Sequence, residues 1–130
     1  MSVRISVIGG SEIDEATAAT AEAVGRTVAT RGHILICGGL GGVMKAACRG
    51  AREHGGETIG ILPGTDVRTA NDFVQRPIAT GLGDARNGLV VLNGDGVIAV
   101  DGAGGTVSEL GFAAVHDRPV AGLGTFELPW

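Results

Sequence analysis

The stretch His33-Ile34-Leu35-Ile36-Cys37-Gly38-Gly39-Leu40-Gly41-Gly42-Val43-Met44 decides the fold. A short apolar run reads as a strand buried on both faces, as in a parallel sheet. Glycines then break it, and an apolar-patterned segment from Val43 to His54 reads as a helix. Strand, glycine turn and helix recur on both sides. Arg4 to Ile8 is a β-branched run ending at Gly9-Gly10, with capping side chains from Ser11 to Asp14 and an amphipathic helix over Glu15–Arg31. Gly96 to Val100 is a strand followed by Asp101-Gly102-Ala103-Gly104-Gly105 and a helix over Thr106–His116.

The remaining segments fit the same plan. Thr58–Leu62 is a strand closed by Pro63-Gly64, residues 65–76 are an irregular polar loop, and Pro77–Thr80 is a short strand. Asp84–Leu92 reads as a helix and Pro119–Leu123 as a last strand. Alternating strands and helices imply right-handed crossovers and an α/β fold: a Rossmann-like three-layer α/β/α sandwich, with a mainly parallel sheet of about six strands in a single domain over residues 1–130. A doubly wound sheet that ends on a strand calls for a further helix over that face. The chain therefore reads as a shortened form, or as one whose last strand a partner subunit covers.

Composition narrows the function. The chain holds 24 glycines, against a usual share of about 7%, and they cluster after apolar runs rather than in any fibrous period. With 44% hydrophobic and only 3% aromatic residues, small aliphatics make the core. The net charge of −4 and the lack of a basic stripe argue against nucleic-acid binding. Cys37 and Cys48 lack metal-type spacing and read as reduced thiols of a cytoplasmic protein; no metal site is expected. No signal peptide or membrane-length apolar run is visible.

In a parallel sheet the three glycine turns share one edge, where open α/β folds bind ligands. Glycine lets the backbone approach a ligand, and each following helix offers free N–H groups and a positive dipole end. One helix end contributes only about 0.3–1 kcal/mol, whereas millimolar binding needs about 4 kcal/mol, so several turns must converge. Gly10, Ser11, Gly38, Gly39, Gly42, Gly102, Gly104 and Gly105 are the expected phosphate-binding positions, with Thr106 adding a hydroxyl. Thr106 and Glu109 equally fit a capping box that merely closes their helix. A P-loop is excluded, because no Gly-Lys-Ser/Thr follows Gly42. An NAD-type site lacks its acidic residue, since Cys37-Gly38 stands where it belongs.

The segments Gly38-Gly39-Leu40-Gly41-Gly42-Val43-Met44 and Asp101-Gly102-Ala103-Gly104-Gly105-Thr106-Val107-Ser108-Glu109 resemble the two signatures of the LOG, or "lysine decarboxylase-like", superfamily. The first signature is GGGxxGLMG and the second PGGxGTxxE. Arg86 stands fifteen positions before Asp101, where that family has an arginine, and Glu109 falls on the final Glu. The resemblance implies a Rossmann-like fold, with Arg86 and Glu109 as catalytic residues if the chain is an enzyme. The activity would then be that of a nucleoside 5′-monophosphate phosphoribohydrolase, which cleaves an N-glycosidic bond; lysine decarboxylation is not implied.

Among this sequence's departures from the signatures are Cys37, Lys45, Asp101 and Ala103. Asn87 follows Arg86 where the hydrolases have lysine, and Thr80–Asn87 looks more like the branch of molybdenum cofactor carrier proteins. That branch implies binding of a phosphorylated small molecule, a nucleotide monophosphate or the molybdenum cofactor, without a required cofactor of its own. Arg86, Asn87, Met44 and Glu109 would join the glycine turns in holding it. Family members form dimers or tetramers, and the apolar circumference of the Thr106–His116 helix fits a homo-oligomer.

Overall fold

The computed structural model describes residues 3–101 and 104–123, with the side chains of residues 104–108 outside the description. Six strands form one sheet: β1 (Arg4–Gly9), β2 (Ile34–Cys37), β3 (Thr58–Leu62), β4 (Arg76–Ala79), β5 (Gly96–Val100) and β6 (Val120–Leu123). Their order is β4-β3-β2-β1-β5-β6, and every neighbouring pair is parallel. Four helices join them: α1 (Glu15–Thr30), α2 (Val43–Glu53), α3 (Arg86–Leu92) and α4 (Gly104–Val115). This is the three-layer architecture expected.

Adjacent residues of the central strands enter two different cores, as the two-residue period of a strand dictates. Val7, Leu35 and Val100 pack with Val28 of α1 and Val43, Ala47 and Ala51 of α2. Their chain neighbours Ile8, Ile36 and Ala99 pack on the other face with Val90 and Val91 of α3 and Leu110 and Ala113 of α4. A strand buried on both sides has no polar positions to spare. This explains the continuous Ile-Leu-Ile run of β2.

The boundaries follow from local chemistry. Asp14 caps α1 by accepting a hydrogen bond from the Thr17 N–H at 2.8 Å. Pro77, which cannot donate to a ladder, sits in β4 at the sheet edge. The polar loop contains one 3-10 turn, Val67–Thr69, and a second such turn, Gly83–Ala85, leads into α3. α3 therefore starts at Arg86, two residues later than the apolar pattern suggests. Within α4, Leu110 and Ala113 are buried and Phe112 packs against the same core, while Val115 is 76% exposed. Part of this helix's apolar circumference is thus satisfied by α3 and the sheet.

The sheet order fixes where a ligand site belongs. Successive strands run outward from β1 to β4, then the chain returns to the other side of β1 with β5. The order reverses between β1 and β5, so a crevice opens there beyond the strands' carboxyl ends.

Candidate functional site

A cavity of about 210 Å³ lies at that switch point. Its apolar wall comes from Val7, Ile8, Leu40 and Met44. Its polar wall comes from Gly10, Ser11, Gly38, Asp84, Arg86, Asn87 and Glu109. Sequence reasoning singles out Gly10, Ser11, Gly38, Met44, Arg86, Asn87 and Glu109, and the structure brings all seven to this one cavity. It also brings Leu40 and Asp84, which lie inside the resembled stretches 38–44 and 80–87 but are not among the expected ligand-binding positions. Asp84 stands two residues ahead of Arg86, in the 3-10 turn that leads into α3.

Gly39 and Gly42 do not line this cavity. Gly39 has φ of +79°, and a Cβ there would stand 2.7 Å from the Leu62 side chain, so close packing on β3 requires glycine. Gly42 has φ of +63°, and its Cβ would meet the Gly10 carbonyl oxygen at 2.2 Å. The Val43 N–H donates to that same carbonyl at 3.0 Å. The first N–H of α2 therefore locks two glycine turns together and is not free for an anion. Gly102 lies outside the described residues, and the surroundings of Gly104, Gly105 and Thr106 lie outside the description as well. Asp101, before them, has φ of +56°, a conformation closed to the proline of the resembled signature.

Arg86 dominates the cavity. It opens α3 and is only 8% exposed. Its Nη1 donates to the Asn87 side-chain oxygen, and its buried Nε has no hydrogen-bond partner among the described residues. The three ion pairs among the described residues, Arg49–Glu53, Arg68–Asp66 and Arg76–Glu57, all lie on the surface and none involves Arg86. A buried cation with no direct ion pair among the described residues is costly, and it sets a preference for an incoming anion. Gly38 makes room for it: a Cβ at that position would stand 2.8 Å from Arg86 Nη2 and 2.8 Å from Met44 Sδ.

Glu109 faces the same cavity and is 8% exposed. Burial raises its pKa to about 7, against the opposing pull of the Arg86 charge. Near neutrality this carboxyl is divided between a proton donor and a carboxylate. A titratable group so displaced, in a cleft beside a cation, makes this cavity the candidate functional site.

The polar loop supports the cavity from behind. The Asn71 N–H donates to the Gly39 carbonyl at 2.9 Å, and Asn71 Nδ2 donates to the Leu40 carbonyl at 2.8 Å. Asn71 thus pins the loop to the glycine turn, while Lys45 and Asp72 face outward. A second groove, of about 500 Å³, shares Ser11 with the cavity and is flanked by Gly42, Lys45, Arg49 and Phe73.

This constellation sits within a chain that a family model, described as the SLOG cluster4 family, matches over residues 2–129. The protein belongs to the SLOG cluster4 family. This SLOG chain is similar to the molybdenum cofactor binding protein of the phototrophic bacterium Rippkaea orientalis. The TM-score is 0.92 at 36% identity, over 98% of this chain and 78% of that one. It is similar to the Moco carrier protein of Chlamydomonas reinhardtii with a TM-score of 0.89 at 41% identity, over 97% of this chain and 78% of that one. A cytokinin riboside 5′-monophosphate phosphoribohydrolase of Mycobacterium marinum is 32% identical over 120 residues, 85% of this chain and 62% of that relative.

Proposed function

We propose that this SLOG protein binds a phosphorylated small molecule, a molybdopterin-type cofactor or a nucleotide monophosphate, as a carrier in the cytoplasm. The observation that carries this reading is the buried Arg86 guanidinium, without a direct ion pair among the described residues and beside Gly38 in a cavity at the switch point. A phosphate monoester supplies the missing charge through charge-assisted hydrogen bonds. Glu109 in its protonated form adds a donor to the same anion. Val7, Ile8, Leu40 and Met44 offer an apolar face for the adjoining sugar or ring.

Size supports a two-part ligand. Sites that enclose a whole drug-sized molecule run to about 300–1,000 Å³, and the central cavity is smaller. The phosphate end fits there, and the rest of the ligand extends over Ser11 into the groove beside Lys45 and Phe73. The likeness to cofactor-binding proteins along nearly the whole chain favours the pterin ligand. Native mass spectrometry of the purified protein tests this directly. A bound pterin phosphate or nucleotide supports the reading. Failure of Arg86→Met to weaken binding of adenosine monophosphate, used as a probe, overturns the site assignment.

One observation favours hydrolysis instead. Glu109, with a pKa of about 7, can in its ionised half stabilise an oxocarbenium-like centre or orient water at an N-glycosidic bond. Incubation with adenosine monophosphate distinguishes the two. Release of adenine and ribose 5-phosphate, abolished in Glu109→Gln, establishes an enzyme. Binding without release establishes a carrier.

A further inference from the structure

Neither reading uses the two cysteines, yet the fold places them together at the root of the site. Cys37 is the last residue of β2, Cys48 lies in the second turn of α2, and the first glycine turn loops out between them. Their sulfurs stand 3.5 Å apart, eleven positions apart in the chain, and both side chains are fully buried. Both are free thiols.

The surroundings give the two thiols different roles. The Gly39 N–H donates to Cys37 Sγ at 3.3 Å, which sets Cys37 as the more stabilised thiolate of the pair. The hydrogen bond from Cys48 holds the Cys37 thiol below its ordinary range, with help from the Gly39 N–H and the Arg86 charge. The same bond, together with burial, keeps Cys48 protonated. One sulfur is thus prepared as the nucleophile and the other waits beside it as the resolving thiol.

We infer that Cys37 and Cys48 are a redox modification site, forming a reversible disulfide that closes a ring around the glycine turn of the ligand cavity. The oxidant is hydrogen peroxide, small enough to reach a buried pair during local opening of the turn. The Cys37 thiolate attacks the peroxide oxygen, the O–O bond breaks, and the departing hydroxide takes a proton to become water. The Cys37 sulfenic acid is then attacked by Cys48, whose proton leaves with the hydroxyl as a second water. Two thiols lose two electrons in all, and one hydrogen peroxide gains them. Bonded sulfurs lie about 2.05 Å apart, so Cys37 and Cys48 must close by about 1.5 Å. That movement draws α2 toward β2 and turns the sulfur that accepts from the Gly39 N–H into one half of a covalent cross-link. Gly38, beside Arg86, lies inside the closed ring.

The test treats the reduced, intact protein with hydrogen peroxide under native conditions, followed by alkylation in denaturant. The expected product is a monomeric chain lighter by two hydrogens, refractory to alkylation and restored by dithiothreitol. Peptide mapping joins Cys37 to Cys48. Hydrogen exchange across residues 38–44 is expected to slow at least several-fold on oxidation. In Cys48→Ala the reaction stops at a sulfenic acid on Cys37, trapped by a dimedone probe. Alkylatable thiols after peroxide, separate oxidation of each cysteine, bridges between chains, or unchanged exchange across the turn would each overturn the inference. The wild-type arm needs no variant to fold and no ligand, so its outcome is independent of whether the cavity binds a phosphate.

Discussion

The guanidinium of Arg86 lies against the backbone of Gly38, with Nη2 2.8 Å from the point a Cβ there would occupy. The two residues come from different layers of the fold, one from the turn after β2 and the other from the start of α3. Together they make a buried cation reachable by a ligand. Gly38 does not adopt a positive φ, so alanine is conformationally acceptable there. The atoms it would crowd are the far ends of the Arg86 and Met44 side chains, which can swing away. Gly38→Ala should therefore leave the urea midpoint nearly unchanged while displacing Arg86. A tenfold loss of adenosine monophosphate affinity corresponds to about 1.4 kcal/mol, and calorimetry is expected to find at least that.

Glu109 makes stability depend on pH. Its folded pKa of about 7 lies above the ordinary 4.5, so between those values the native state holds more protons than the unfolded chain. The stabilisation is complete below about pH 4.5 and is lost as pH rises through 7. Glu109→Gln, which cannot ionise, should lose this dependence. Urea titrations at pH 5 and pH 8 check it: the wild type weakens relative to the variant by up to about 3 kcal/mol over that span. Parallel curves for the two proteins would refute a buried, proton-holding Glu109.

The sequence carries the strands plainly, because a parallel sheet buried on both faces demands uninterrupted runs such as Ile34-Leu35-Ile36. It also carries Arg86 and Glu109, through the spacing of two glycine-rich signatures. It does not distinguish why each glycine is present. Gly38 serves the cavity, Gly39 lets the turn pack on β3, and Gly42 avoids the carbonyl of Gly10, yet the three look alike as letters. Nor does it reveal that Cys37 and Cys48 touch, since their contact depends on how the intervening turn reverses onto α2. Periodicity reports which face a residue presents, and not which other loop arrives there.

Arg86 should be a functional residue held at the expense of stability. Among the described residues its Nε is buried without a partner and its charge has no direct ion pair. Arg86→Met keeps much of the chain length and removes the uncompensated charge. The ligand-free variant should gain about 1–2 kcal/mol in denaturant unfolding and lose probe binding. The variant should also push the Glu109 pKa further up, since the Arg86 charge is what restrains it. A destabilised Arg86→Met would show that the guanidinium is satisfied within the protein itself.

Two helical glycines should respond in opposite directions to the same substitution. Gly25 in α1 is buried where the helix crosses α2, and a Cβ there would stand 1.9 Å from the Ala47 carbonyl oxygen. Gly50 of α2 repeats the arrangement against the Glu22 carbonyl at 2.0 Å, so the two helices approach along a seam with no room for a methyl group. Backbone atoms cannot swing aside as the end of Arg86 can, and α2 carries both Cys48 and the wall of the cavity. Gly111 in α4, by contrast, has open space around its Cβ position. Gly111→Ala should stabilise by about 0.5–1 kcal/mol through helix propensity alone. Gly25→Ala gains the same propensity but must force the helices apart, with overpacking that costs about 1–3 kcal/mol, so its melting temperature should fall below that of the wild type. A rise in both would mean that α1 and α2 are not held at the separation described.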